Sequence, residues 1–93
     1  MIYENRPHFK RELLPRPIDY FARFFEKLSP NRKFSSVKCP FHGDCNPSLS
    51  LNLVTGSFKC FGCGANGNDI VDFHRLKYGT GFVETVRELG AWE

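Results

Sequence analysis

Cys39-Pro40-Phe41-His42-Gly43 and, after seventeen residues between the pairs, Cys60-Phe61-Gly62-Cys63-Gly64 are the stretches that decide the fold. Two residues between the members of each pair allow one tight turn to aim both side chains at a single ion. The long gap allows a hairpin to bring the second pair opposite the first and complete a tetrahedron. Two close pairs at this separation read as a structural zinc site. A glycine follows each pair, and a glycine there can adopt positive φ and fold backbone N–H groups back toward the ligand atoms. Four protein ligands leave no open position, so one Zn²⁺ is expected, structural and not catalytic, on Cys39, His42, Cys60 and Cys63.

Cys45 complicates that assignment. It lies three residues after His42 and is an alternative ligand that would make a four-cysteine site, although five residues between Cys39 and Cys45 depart from tight-turn spacing. As an alternative to ligation, it is an ordinary free thiol. His8 and His74 read as surface or packing histidines.

Working outward, the chain has 93 residues, 41% of them hydrophobic and 15% aromatic. That is one small globular domain whose thin core benefits from a metal. No apolar run approaches the roughly 20 residues of a membrane span. The first fifteen residues are polar and show no secretory signal, which leads us to expect a cytoplasmic chain with reduced thiols. Net charge is +3 and unevenly spread: residues 1–63 carry ten Lys and Arg against five Asp and Glu, and residues 64–93 carry three against five. The basic part contains the metal ligands.

Residues 1–16 show no period and are expected to form an arm before a domain spanning 17–93. Pro17 and the recurrence of Ile18, Phe21, Phe25 and Leu28 predict a helix over 17–28. A short strand is expected over 33–38. Leu49, Leu51 and Leu53 alternate with Ser50 and Asn52, which predicts a strand over 48–53. A two-residue turn at Thr55-Gly56 would return the chain as a strand over 57–61 and pair Asn52 with Lys59 and Leu51 with Cys60. Leu49, Leu51, Leu53, Phe58 and Cys60 then face the core, and Ser50, Asn52, Lys59 and Phe61 face outward. Helices follow over 68–78, with Asn68 as N-cap and Gly79 as stop, and over 81–89.

These residues resemble a family. Cys39-Pro40-Phe41-His42-Gly43-Asp44, then Pro47-Ser48-Leu49, then Phe58-Lys59-Cys60-Phe61-Gly62-Cys63-Gly64-Ala65-Asn66-Gly67 is similar to the zinc-binding, CHC2-type zinc-ribbon domain of bacterial DnaG-type DNA primases. The likeness runs from about Ile18 to about Leu89. It implies an α+β fold: a small antiparallel zinc-ribbon sheet flanked by one N-terminal helix and two C-terminal helices. It also implies recognition of single-stranded template DNA for RNA primer synthesis in DNA replication. The implied partners are a primase polymerase domain or a helicase-associated replication protein of the primosome, with this domain a monomer. The family usually carries a basic residue where Cys45 stands. No acidic polymerase centre follows Leu89, so the chain is expected to make no primers alone, as a primase fragment or a small stand-alone relative.

A single-strand binder needs cations for phosphates and aromatic faces for stacking. The stretch 27–38 holds Lys27, Arg32, Lys33 and Lys38 with Phe34 among them. The outward hairpin face offers Lys59 beside Phe61. Arg32, Lys33, Lys38, Lys59 and Phe61 are therefore the expected DNA contacts, against the plainer reading that lysines solubilise an edge strand. Phe34 and Phe41 fit a core role equally well. Asp69 and Asp72 read as solvated carboxylates of an amphipathic helix rather than an acid–base pair. The competing function is a zinc-ribbon protein-docking module, since a fold alone specifies no activity.

Overall fold

The computed structural model describes residues 8–26, 28–29, 31–41 and 48–93. The α+β architecture expected from the sequence is present. One four-stranded antiparallel sheet has the spatial order β1 (Phe34–Val37), β2 (Leu49–Asn52), β3 (Phe58–Cys60), β4 (Asn66–Gly67). Helix α1 (Pro17–Phe21) precedes it, and α2 (Ile70–Tyr78) and α3 (Phe82–Glu88) follow.

The outward and inward faces of the sheet are as the alternation predicts, because side-chain direction in a strand depends only on parity. Leu49, Leu51, Leu53, Phe58 and Cys60 are buried. The register differs from the expected one by two residues: Leu49 pairs with Cys60, Ser50 with Lys59 and Leu51 with Phe58. The turn is thus longer than Thr55-Gly56. A two-residue hairpin turn of the favoured mirror-image type needs positive φ at both positions, which β-branched Thr55 resists. Asn52 supplies the alternative: its Oδ1 accepts the N–H groups of Val54 and Thr55 at 2.9 and 3.0 Å. The wider loop also buries Leu53, whose N–H donates to the Lys33 carbonyl at 2.6 Å and ties the turn to the start of β1.

Helix α1 is shorter than the 17–28 periodicity suggests. Past Phe21 the chain tightens, with the N–H groups of Arg23 and Phe24 donating three residues back to Tyr20 and Phe21. That winding brings both Phe24 and Phe25 against Phe73 of α2, at ring-centroid distances of 5.9 and 6.2 Å. Phe73 also meets Tyr20, Phe21, Phe41 and Phe58 at 5.1–5.9 Å, mostly edge to face. One fully buried ring therefore joins α1, the first ligand turn, β3 and α2.

The N-cap of α2 is Asp69 rather than Asn68; its side chain accepts the N–H of Asp72 at 3.0 Å. Asp69 is buried, not solvated as expected, and takes Arg11 Nη1 and Nη2 at 3.3 Å each. Asp72 accepts the N–H of Asn68 at 2.9 Å, so both carboxylates serve the helix start. Strand β4 was not expected from the sequence. It pairs with β3 through Phe58–Gly67 and Lys59–Asn66. A Cβ on Gly67 would stand 2.6–2.7 Å from the Phe58 ring and 2.7 Å from Asp72 Cβ, so the helix-to-sheet approach here requires glycine.

Within the stretch read as an arm, Phe9 is buried and forms a bridge with Trp92. The N–H of Lys10 donates to the Ala91 carbonyl at 2.7 Å. His74 is likewise interior: Nδ1 lies 2.8 Å from the Tyr20 hydroxyl and Nε2 lies 2.7 Å from Glu88 Oε1, so it clasps α1, α2 and α3. Among the described residues no helix is long and apolar enough to cross a membrane.

Candidate metal centre and nucleic-acid surface

The sheet register places the metal ligands. Val37, Leu49 and Cys60 lie side by side at one end of the sheet. Cys39 emerges two residues beyond Val37, and Cys60 opens the turn that carries Cys63 before β4 returns. Three sulfurs from two separate turns thereby meet within 4.8 Å of one another. Cys39 and Cys60 are buried and Cys63 is exposed.

The geometry fits zinc. Zn–S bonds of about 2.3 Å in a tetrahedron put neighbouring sulfurs about 3.8 Å apart. Cys39 Sγ and Cys63 Sγ are 3.8 Å apart. Backbone N–H groups are aimed at the sulfurs: Phe41 at Cys39 Sγ (3.4 Å), and Gly62 and Cys63 at Cys60 Sγ (3.3 and 3.4 Å). The Ser48 hydroxyl adds a contact to Cys60 Sγ at 3.4 Å. Gly64 has φ +81°, the conformation the sequence assigned to a glycine closing this turn, and its N–H donates to the Cys60 carbonyl at 3.0 Å.

The electrostatics call for a cation as well. Burial disfavours a Cys60 thiolate, yet the Ser48 hydroxyl and the two N–H donors outweigh it and draw the thiol down to about 6. Cys39 is pushed up to about 12, chiefly by burial, against the pull of the Phe41 N–H. Three sulfurs within 4.8 Å of one another could not all carry charge without a counterion; a dication would supply it and displace thiol protons on binding. His42 and Cys45 lie outside the described residues.

The second candidate region is the outward face of the sheet. Phe34 and Phe61 are 56% and 75% exposed, a wasteful placement for two large apolar rings unless they meet something. They line one shallow groove of about 160 Å³ with Ser50, Asn52, Ser57, Phe58 and Lys59. Lys59 Nζ lies 5.4 Å from the centroid of the Phe61 ring, and Lys33 Nζ lies 5.5 Å from that of Phe34. Arg32 lines an adjoining hollow that shares Phe34. Lys38 is exposed but lines a different hollow, beside Phe24, Phe25 and Val37 at the edge of β1. The structure thus brings Arg32, Lys33, Lys59 and Phe61 around Phe34 and leaves Lys38 apart; Lys27 lies outside the described residues.

Phe34 is a surface aromatic, and Phe41 packs against the core, which settles the even reading of each. The floor residues Ser50 and Asn52 were on the predicted polar face, but nothing in their spacing marked them as part of a groove. Ser48 stood in the Pro47-Ser48-Leu49 stretch and at the start of the expected 48–53 strand, but nothing in the sequence marked it as a partner of Cys60 Sγ.

A family model described as the CHC2 zinc finger matches residues 26–92. The chain belongs to the CHC2 zinc-finger family. This CHC2 zinc finger holds a structural zinc, and its sulfur cluster is the part of the site on the described residues. It is 45% identical to the DNA primase of Salmonella typhimurium over 68 residues, covering 70% of this chain and 11% of that protein. To the DNA primase of Listeria monocytogenes it is 35% identical over 72 residues, 77% of this chain and 11% of that one. Its fold is similar to the crystal structure of the Aquifex aeolicus primase, which comprises zinc-binding and RNA polymerase domains. The TM-score is 0.68 with 31% identity, over 85% of this chain and 20% of that one. The CHC2 zinc finger thus spans about a tenth of the length of the curated relatives it matches.

Proposed function

We propose that this CHC2 zinc finger recognises single-stranded template DNA in primer synthesis and works with a polymerase domain that performs the chemistry. The observation that carries the proposal is the pairing of two exposed rings, Phe34 and Phe61, on one groove, each with a lysine over it. Bases stack on aromatic faces and phosphates need cations, and both requirements meet on this face. Zinc contributes by rigidity: it locks the turn that begins with Phe61 to the strand that carries Phe34, so both rings are held in place before DNA arrives.

His42 is the fourth zinc ligand in this reading, as the residue that completes a Cys3His set with the three clustered sulfurs. Cys45 then remains a free thiol. The domain acts as a monomer on the strand, and its polymerase partner is a primase domain or a replication protein associated with the helicase.

The test is a titration of the zinc-loaded protein with short single strands at two salt concentrations. Affinity should be weak and should fall with salt by a log–log slope of about −0.7 per phosphate neutralised. Lys59→Ala should weaken binding and flatten the slope while leaving the fold unchanged. No binding at low salt, or binding indifferent to Lys59, Lys33 and Arg32, would favour the docking-module reading. The half-exposed Leu76 and Tyr78 of α2 offer that reading an apolar surface.

A further inference from the structure

The groove between Phe34 and Phe61 has a one-sided hydrogen-bonding character. Asn52 lines it, and the orientation of its amide is determined by its neighbours. Two backbone N–H groups, of Val54 and Thr55, point at one side-chain atom at 2.9 and 3.0 Å. Only the carbonyl oxygen can accept them, so the amide nitrogen is the atom left for other partners. The Asn52 side chain thus offers two N–H donors, and its acceptor is already engaged. Lys59, on the same groove, carries donors only. Ser57 accepts a hydrogen bond from the Thr55 hydroxyl at 3.1 Å and keeps its own proton to give. Ser50 adapts to either role. No lining residue carries a carboxylate.

The geometry points to a single base that enters by its C4 or C6 edge, 4-keto thymine or 6-keto guanine, as the occupant of this groove, with Asn52 as the residue that discriminates it. The inference rests on the single-stranded DNA reading above and names which bases that reading favours. On the edge that bears the C4 or C6 substituent, thymine presents O4 and guanine presents O6 and N7 as acceptors, whereas cytosine presents its N4 amino donor there and adenine its N6 amino donor beside N7. An amino group facing Asn52 Nδ2 and Lys59 Nζ sets donor against donor, and a keto oxygen satisfies both. The space agrees with one ring: about 160 Å³ is well below the roughly 300–1,000 Å³ of sites that enclose a whole small molecule. The exposed Phe34 and Phe61 rings supply the stacking faces.

The experiment uses the zinc-loaded chain and fluorescent dA octamers whose two central bases are A, C, T or G, followed by anisotropy at low salt. The T and G strands should bind about fivefold more tightly than the A and C strands, the low end of what a good pair of base contacts discriminates. Asn52→Asp is the decisive variant. An aspartate keeps an oxygen for the Val54 and Thr55 N–H groups, so the turn survives, but it replaces the amide donors with an acceptor. Its added charge weakens every strand alike, so the readout is the ratio between strands. That ratio should fall to one or invert. Asn52→Ser, which adds no charge, should also bring it toward one. Equal binding of all four strands by the wild type, or an unchanged ratio in Asn52→Asp, overturns the assignment while leaving DNA binding intact. No binding of any strand overturns the DNA reading itself, and the base preference with it.

Discussion

Removing the Phe73 ring should uncouple the core from the metal site. The ring is fully buried and has six aromatic neighbours with centroids 5.1–6.2 Å away. Phe→Ala in a core costs about 3–5 kcal/mol, more where the surroundings cannot collapse into the void. Here the neighbours are rings attached to four different segments, so Phe73→Ala should sit near the top of that range. A 93-residue domain has roughly 5–14 kcal/mol in total. The metal adds binding energy on the order of 10 kcal/mol to folding. The variant should therefore stay folded with zinc and lose its structure without it. Phe41 makes the link: its ring meets Phe73 at 5.3 Å and its N–H donates to Cys39 Sγ at 3.4 Å. Loss of the ring should free the first ligand turn and lower zinc affinity as well. Circular dichroism during denaturation, beside competition for zinc with a chromogenic chelator, measures both effects. A loss under 1.5 kcal/mol would remove Phe73 from the centre of the core. A loss of 4 kcal/mol with unchanged zinc affinity would show that the Phe41–Phe73 contact does not couple the two.

Gly67→Ala should destabilise by about 1–3 kcal/mol, since the new methyl must displace the Phe58 ring and Asp72 Cβ; Tm against wild type checks this. Cys60→Ser removes a ligand supported by three hydrogen-bond donors and should unfold the sheet, whereas Cys45→Ser should be nearly silent. Equal damage to the amide spectra of the two variants would reverse the assignment of the free thiol.

Much of this protein is legible in its residue order. The paired Cys39/His42 and Cys60/Cys63 spacing announces the metal, because a tetrahedral ion demands two tight turns and one long return. The faces of β2 and β3 also follow directly, since a period of two assigns side chains to faces whatever even shift the register takes. Gly79, expected to stop α2, caps it with φ +68°.

Other features depended on contacts between distant segments. The register depended on Asn52, whose side chain holds a wider turn and lets Leu53 reach the core; local alternation is blind to a shift of two. Strand β4 is two residues long and exists only because β3 lies beside it, so it carries no period of its own. The meeting of Phe21, Phe24, Phe25, Phe41 and Phe58 around Phe73 joins residues up to 52 positions apart, and a list of phenylalanines gives no hint which ring sits at the centre. Phe34 and Phe61 look alike in sequence to those core rings. Only the packing, which fills the interior with the others and leaves these two on the far side of the sheet, makes them exposed surface rings.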